Sequence, residues 1–271
     1  MSVEKDKTVQ FNGSVISYDD QGIGHLPILF IHGFPFDKSM WKPQVDYFKS
    51  MHRVISYDIR GFGKSTTGID KFSIGLFADD LIGLMDAQQI DKAVVCGLSM
   101  GGYILLNAVN RYPERFEAII LSDTQCIADS PEAKEKRYIT SKQIEAGGLT
   151  DFAEGFVKNI FCKESLRDKK ELVEKIKNII LSTDVSTITK TLNALAQRGE
   201  MCSSLKEIKV PALILCGKED TVTPPEQAQF LQNNIANSRL YSIENAGHMS
   251  NLEQPNEFNQ HLSNFISELV K

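Results

Sequence analysis

Nowhere in the 271 residues do about 18 apolar positions follow one another, so no helix able to cross a bilayer is expected. The first residues, Met1-Ser2-Val3-Glu4-Lys5-Asp6-Lys7, alternate charge and lead into no apolar run, so no secretory signal is expected either. Positive charge is not in excess. With 30 Lys plus Arg against 35 Asp plus Glu the net charge is −5, which removes the electrostatic reason to bind nucleic acid or an anionic membrane. Cysteine is scarce: Cys96, Cys126, Cys162, Cys202 and Cys216 are odd in number, dispersed and without C-x-x-C spacing, fitting neither a disulfide framework nor a zinc knuckle. Internal repeats and low-complexity segments are also missing. What remains is an ordinary globular composition, 42% hydrophobic and 24% charged, expected to fold and to stay in the cytoplasm. A small molecule or another protein is the expected partner.

Asn12-Gly13 between the alternating runs Val9 to Phe11 and Ser14 to Tyr18 predicts a β-hairpin, because both turn residues tolerate positive φ. Six further apolar runs read as strands: Ile28 to Ile31, Arg53 to Tyr57, Ala93 to Cys96, Glu117 to Leu121, Ala212 to Cys216 and Arg239 to Ile243. Helix-period segments alternate with them, such as Ile74, Phe77, Leu81, Leu84 and Met85. This pattern predicts an α/β fold with an eight-stranded, mostly parallel sheet flanked by helices. Residues 124–205 break the rhythm, with helix-like segments (Lys169 to Leu181, Ser186 to Arg198) and no strand. Such a stretch is too long for a simple crossover. We therefore expect a core of residues 1–123 and 206–271, with 124–205 inserted as a helical cap whose charge is +1 against −6 for the remainder.

Gly97-Leu98-Ser99-Met100-Gly101-Gly102 follows one predicted strand and precedes the helix-like Tyr103 to Tyr112, the strand–turn–helix context of a G-x-S-x-G nucleophile elbow. Glycines let the backbone turn sharply, which leaves the Ser99 hydroxyl exposed at a helix amino terminus. Asp220 follows the strand Ala212 to Cys216, and His248 follows the strand Arg239 to Ile243, giving the order Ser, acid, His at the carboxyl ends of parallel strands. Asp123, just after Glu117 to Leu121, is the rival acid. His32, in Ile31-His32-Gly33-Phe34-Pro35, is expected to be structural and to hold a loop whose Phe34 N–H, with that of Met100, points at a developing oxyanion. Asp58-Ile59-Arg60-Gly61-Phe62-Gly63-Lys64-Ser65 lacks phosphate-loop spacing and reads as a turn stapled by Asp58 and Arg60. Tyr138, Phe152, Phe156 and Phe161 are candidates for an acyl pocket, but apolar residues at helical spacing are far more often simple packing, so the substrate pocket is left unassigned.

Together these segments resemble the α/β-hydrolase fold family over nearly the whole chain. Within it, the His-Gly-aromatic-Pro loop and the Gly-Leu-Ser-Met-Gly-Gly elbow are similar to small-ester carboxylesterases, cofactor-free perhydrolases and 3-oxoadipate enol-lactonases. The resemblance implies acyl transfer to water. Ser99 would be the nucleophile, His248 the base, Asp220 its orienting acid, and the Phe34 and Met100 amides the oxyanion hole, with no metal or organic cofactor needed. The implied partner is a small ester or lactone. A ligand-binding or signalling protein on the same scaffold is the alternative from another class, and a thioesterase or C–C bond hydrolase a weaker one.

Overall fold

The computed structural model describes residues 4–269. Its sheet has eight strands: β1 (Glu4–Phe11), β2 (Ser14–Gln21), β3 (Ile28–Ile31), β4 (Val54–Tyr57), β5 (Ala93–Leu98), β6 (Phe116–Ser122), β7 (Ala212–Gly217) and β8 (Ser238–Ile243). They lie in the order β1-β2-β4-β3-β5-β6-β7-β8. The β1–β2 and β2–β4 pairs are antiparallel and the other pairs are parallel. Asn12 (φ 48°) and Gly13 (φ 68°) make the expected hairpin turn.

Eleven α-helices accompany these strands among the described residues: α1 (Lys42–Phe48), α2 (Ile74–Ala87) and α3 (Met100–Arg111) before β6, then α4 (Pro131–Gly147), α5 (Thr150–Ile160), α6 (Lys163–Asp168), α7 (Lys170–Ser182) and α8 (Val185–Ala196) between β6 and β7. After β7 come α9 (Pro225–Asn234), α10 (Ser250–Glu253) and α11 (Pro255–Leu269).

Strand periodicity sorts the core into two layers, since successive side chains point to opposite faces. Leu29, Ile31, Val95, Ile119 and Ile214 pack on one face with Leu81 of α2, Leu105 of α3 and Leu231 of α9. Ile28, Phe30, Val94, Ile120 and Leu213 pack on the other with Phe48 of α1 and with Phe258 and Leu262 of α11. The inserted helices divide between the same layers. Ile144 of α4 with Ile188 and Leu192 of α8 join the first, and Val157 of α5 with Ile176 and Ile180 of α7 join the second.

The cysteine reading needs one correction. Cys126 and Cys202 form a disulfide, and only Cys96, Cys162 and Cys216 are free, all buried. The pair is 76 residues apart, so no local spacing betrays it. Folding of α4 to α8 returns the chain to where it left β6, which brings the two thiols together.

Candidate active site

Ser99, Asp220 and His248 follow the carboxyl ends of β5, β7 and β8, with β6 between the first two, and the Gly33–Phe34 loop follows β3 on the other side of β5. Because β4 lies to one side of β3 and β5 to the other, a crevice opens beyond the ends of β3 and β5, the place where open α/β sheets build sites. Gly33 and Phe34 leave β3 on one side of it, and Ser99 leaves β5 on the other.

Ser99 sits at φ 54°, ψ −114°, a conformation a side chain rarely adopts, at the first turn of α3. The surroundings enforce it. A Cβ on Gly97 would lie 2.3 Å from Gly101 O, and one on Gly101 would lie 2.4 Å from Ile31 O, so only glycine lets strand, turn and helix approach this closely. Ser99 N–H donates to Ser122 O (3.0 Å), and Ser99 O accepts from Thr124 Oγ1 (2.8 Å). Among the described residues no hydrogen bond joins Ser99 Oγ to His248, a contact that in unliganded sites is often long and tightens with substrate. The amides of Phe34 and Met100 likewise have no protein acceptor among the described residues, which leaves both donors open.

His32 has both ring nitrogens engaged. Ile59 N–H donates to Nε2 (2.9 Å), which fixes the proton on Nδ1, and Nδ1 donates to Gly33 O (2.9 Å). Complete burial holds this imidazole below its ordinary pKa. It therefore ties the Gly33–Phe34 loop to the turn after β4, as its sequence position suggested. That turn is stapled by partners the sequence did not reveal. Asp58 accepts from Lys38 N (2.8 Å), Lys38 Nζ (2.7 Å) and Lys64 N (3.0 Å), while Arg60 grips Asp80 through Nε (2.6 Å) and a second nitrogen (2.7 Å).

Asp220 and His248 are brought together, with Nδ1 2.8 Å from Oδ2. Val222 N (2.8 Å) and Thr223 N (3.0 Å) donate to Asp220 Oδ1, and Thr223 Oγ1 donates to Oδ2 (2.8 Å). Burial alone would depress His248 and raise Asp220. Their mutual attraction outweighs it, so the imidazole lies above its usual value and the carboxyl below.

Among the described residues, no hydrogen bond joins Asp123 to His248. Its carboxylate accepts from Gly217 N (2.8 Å), Ser122 Oγ (2.8 Å) and Ser250 Oγ (2.5 Å), knitting together the ends of β6, β7 and the histidine loop. Burial and the neighbouring Asp220 charge push it up to about 7. Asp123, Asp220 and the Cys216 thiol place potential ligand atoms within 4.8 Å of one another. Each carboxylate already accepts several protein hydrogen bonds, and burial holds Cys216 protonated, which describes two separately hydrogen-bonded acids rather than a cation site.

A cavity of about 850 Å³ opens between the inserted helices and the core, walled by Phe34, Ile144, Phe152, Phe156, Leu192 and Val222. Of the four aromatic candidates, Phe152 and Phe156 line it while Tyr138 and Phe161 do not. Phe34 joins cavity to crevice, its ring 6.1 Å from Phe156 and 6.3 Å from Phe62.

Residues 27–255 match the α/β hydrolase fold family. The chain belongs to that family. This α/β hydrolase is 32% identical over 232 residues to 3-oxoadipate enol-lactonase 2 of Acinetobacter baylyi, covering 86% of this chain and 85% of the relative. Among solved structures it resembles a thermophilic esterase from Thermogutta terrifontis, at a TM-score of 0.92 and 33% identity over 99% of both chains. The enol-lactonase from Burkholderia xenovorans LB400 superposes with a TM-score of 0.90 at 28% identity, covering 96% of this hydrolase and 100% of that chain. No helix among the described residues is long and apolar enough to cross a membrane.

Proposed function

We propose that this hydrolase cleaves a carboxylic ester or lactone of small or medium size through an acyl-enzyme on Ser99. The observation that carries the reading is the strained Ser99 backbone at the start of α3, together with a buried His248–Asp220 pair beyond the carboxyl ends of strands in the same sheet. Backbone strain is maintained only where the surroundings over-determine it, and here the fold holds a hydroxyl at a helix amino terminus.

In the proposed sequence Ser99 Oγ attacks the carbonyl carbon as His248 Nε2 takes its proton. The Nδ1 proton remains shared with Asp220, which stabilises the imidazolium. Negative charge developing on the carbonyl oxygen meets the free Phe34 and Met100 N–H groups. Collapse expels the alcohol oxygen, which takes the proton from Nε2; with a lactone that oxygen stays tethered to the acyl group. Water then attacks the acyl-enzyme, its proton passing to Nε2 and on to Ser99 as the acid leaves. The residues supply nucleophile, base and fixed dipoles for each step.

Two relatives named as enol-lactonases favour a cyclic substrate as the second reading, with the inserted helices acting as a cap over the cavity. A panel of p-nitrophenyl esters of increasing acyl length, run beside lactones on wild type and Ser99→Ala, tests both. We expect Ser99→Ala to lower kcat by on the order of 10³–10⁶, with an organophosphonate labelling Ser99 alone. Full activity in Ser99→Ala sinks the proposal, and turnover of lactones but not esters decides between the two substrates.

A further inference from the structure

Among the buried carboxylates that take no part in the reaction proposed above, one lies against the histidine loop. Glu253, the last residue of α10, is completely buried. Its Oε1 accepts from Gly247 N (2.7 Å) and Met249 N (3.3 Å), the residues on either side of His248. Its Oε2 accepts from Cys162 N (2.8 Å), where the chain passes from α5 into α6 of the insertion.

The same junction reaches the site by other routes. His248 N donates to Ile160 O (2.7 Å), Cys162 Sγ donates to Asn245 O (3.4 Å), and Thr221 Oγ1 donates to Asn159 O (3.3 Å). Lys169 Nζ, also from the insertion, donates to the Glu253 carbonyl. The fit leaves no slack, since a Cβ on Gly247 would lie 2.8 Å from Cys162 N and 2.9 Å from Ile160 O.

A carboxyl is costly to bury unless donors offset the loss of water, and here three backbone N–H groups do so. Its two oxygens accept in different directions, so one side chain can hold two separate stretches of backbone. A neutral amide of the same shape cannot, because one end becomes a donor facing donors. Asn159 and Ile160 also wall the cavity, so one short segment sets both the cavity wall and the histidine loop.

We propose that Glu253 is a positioning residue that fastens the catalytic histidine loop to the inserted helices, so that the place of the imidazole is set from the cap side rather than by Asp220 alone. The inference rests on reading His248 as the base of the reaction.

The test compares Glu253→Gln and Gly247→Ala with wild type. Glu253→Gln breaks one side of the clamp, and Gly247→Ala wedges the same junction apart from the other side. Active sites are counted by organophosphonate titration, kcat and KM are measured on p-nitrophenyl acetate, and the Nδ1 proton of His248 is followed by NMR. We expect kcat per titrated site to fall about 10²-fold, the scale of a misplacement near 1 Å, with KM little changed and the Nδ1 resonance shifted or broadened. Wild-type kcat per titrated site with an unaltered Nδ1 resonance overturns the proposal, even if fewer sites titrate, because that outcome describes a residue needed only for folding. If Glu253→Gln does not fold, Gly247→Ala provides the same readouts. Should Ser99→Ala prove fully active, the reaction proposed above fails, yet the ring-proton signal still decides whether Glu253 places the imidazole.

Discussion

In the proposed reaction His248 concentrates the chemistry into one side chain whose partners are nearly all out of reach of local sequence. Asp220 lies 28 residues before it and holds Nδ1 at 2.8 Å. In the proposed reaction the neutral imidazole is the form that accepts the serine proton, and Asp220 favours the charged form. We therefore expect kcat/KM to rise with pH through an apparent pKa above the ordinary histidine value of about 6.5, and activity to be lost as pH falls below it. In Asp220→Asn that support disappears and the midpoint moves down, while kcat drops by about 10⁴ as the wrong tautomer is stabilised. Asp123→Asn is expected to cost far less, because its amide can face the Ser122 and Ser250 hydroxyls, which can turn to accept, and no bond to His248 is lost. Measuring both variants at equal active-site titre settles the ranking, and the reverse order would hand the acid's role to Asp123. The sequence named both carboxylates as strand-end candidates; the discriminating contacts through Thr223, Ser250 and Gly217 depend on how β6, β7 and the histidine loop converge.

Elements set the second scale, and the elbow between β5 and α3 is the most constrained of them. Its motif was legible because the constraint is local: a sharp turn with glycine on both sides of the serine. What the motif does not announce is that Gly101 also forms the seat for β3, whose Ile31 carbonyl would lie 2.4 Å from an added Cβ. Gly101→Ala should consequently push β3 and its loop away from α3. We expect a loss of about 1–3 kcal/mol of stability, the usual cost of overpacking. A kcat reduced beyond what that stability loss explains should accompany it, since the Phe34 and Met100 amides no longer frame the proposed oxyanion. Thermal melts alongside kcat measured well below the melting range test this, and a variant with normal kcat would separate the two functions of the glycine. Strand positions were read to within a residue or two for β3 to β8 because fully buried strands leave unbroken apolar runs, as in Ile28–Ile31 and Ala93–Leu98. Strands β1 and β2 extend beyond the predicted hairpin arms, to Glu4–Phe11 and Ser14–Gln21, because their charged outer residues are paired by partners across the sheet rather than by pattern.

For the molecule as a whole, the Cys126–Cys202 bond closes the insertion where it leaves and rejoins the sheet. A crosslink across a 76-residue separation removes unfolded-state entropy worth about 4 kcal/mol in the loop-closure picture. Replacing both cysteines with serine should therefore lower the urea midpoint, and reducing the wild type should bring it to the same value. Midpoints that do not differ would mean that the bond adds nothing to the folded state's margin.

The sequence by itself determined the alternation of strands and helices, the long helical interruption, the elbow and the order of Ser99, Asp220 and His248, because each is written in periodicity or in neighbouring residues. Tertiary structure alone decided that Asp220 rather than Asp123 meets His248, that Cys126 finds Cys202, that Asp58 and Arg60 bind Lys38 and Asp80, and that Glu253 spans from Gly247 to Cys162. These are contacts between segments far apart along the chain. Nothing in the local pattern carries their distance, which exists only once the sheet has fixed the order of its strands.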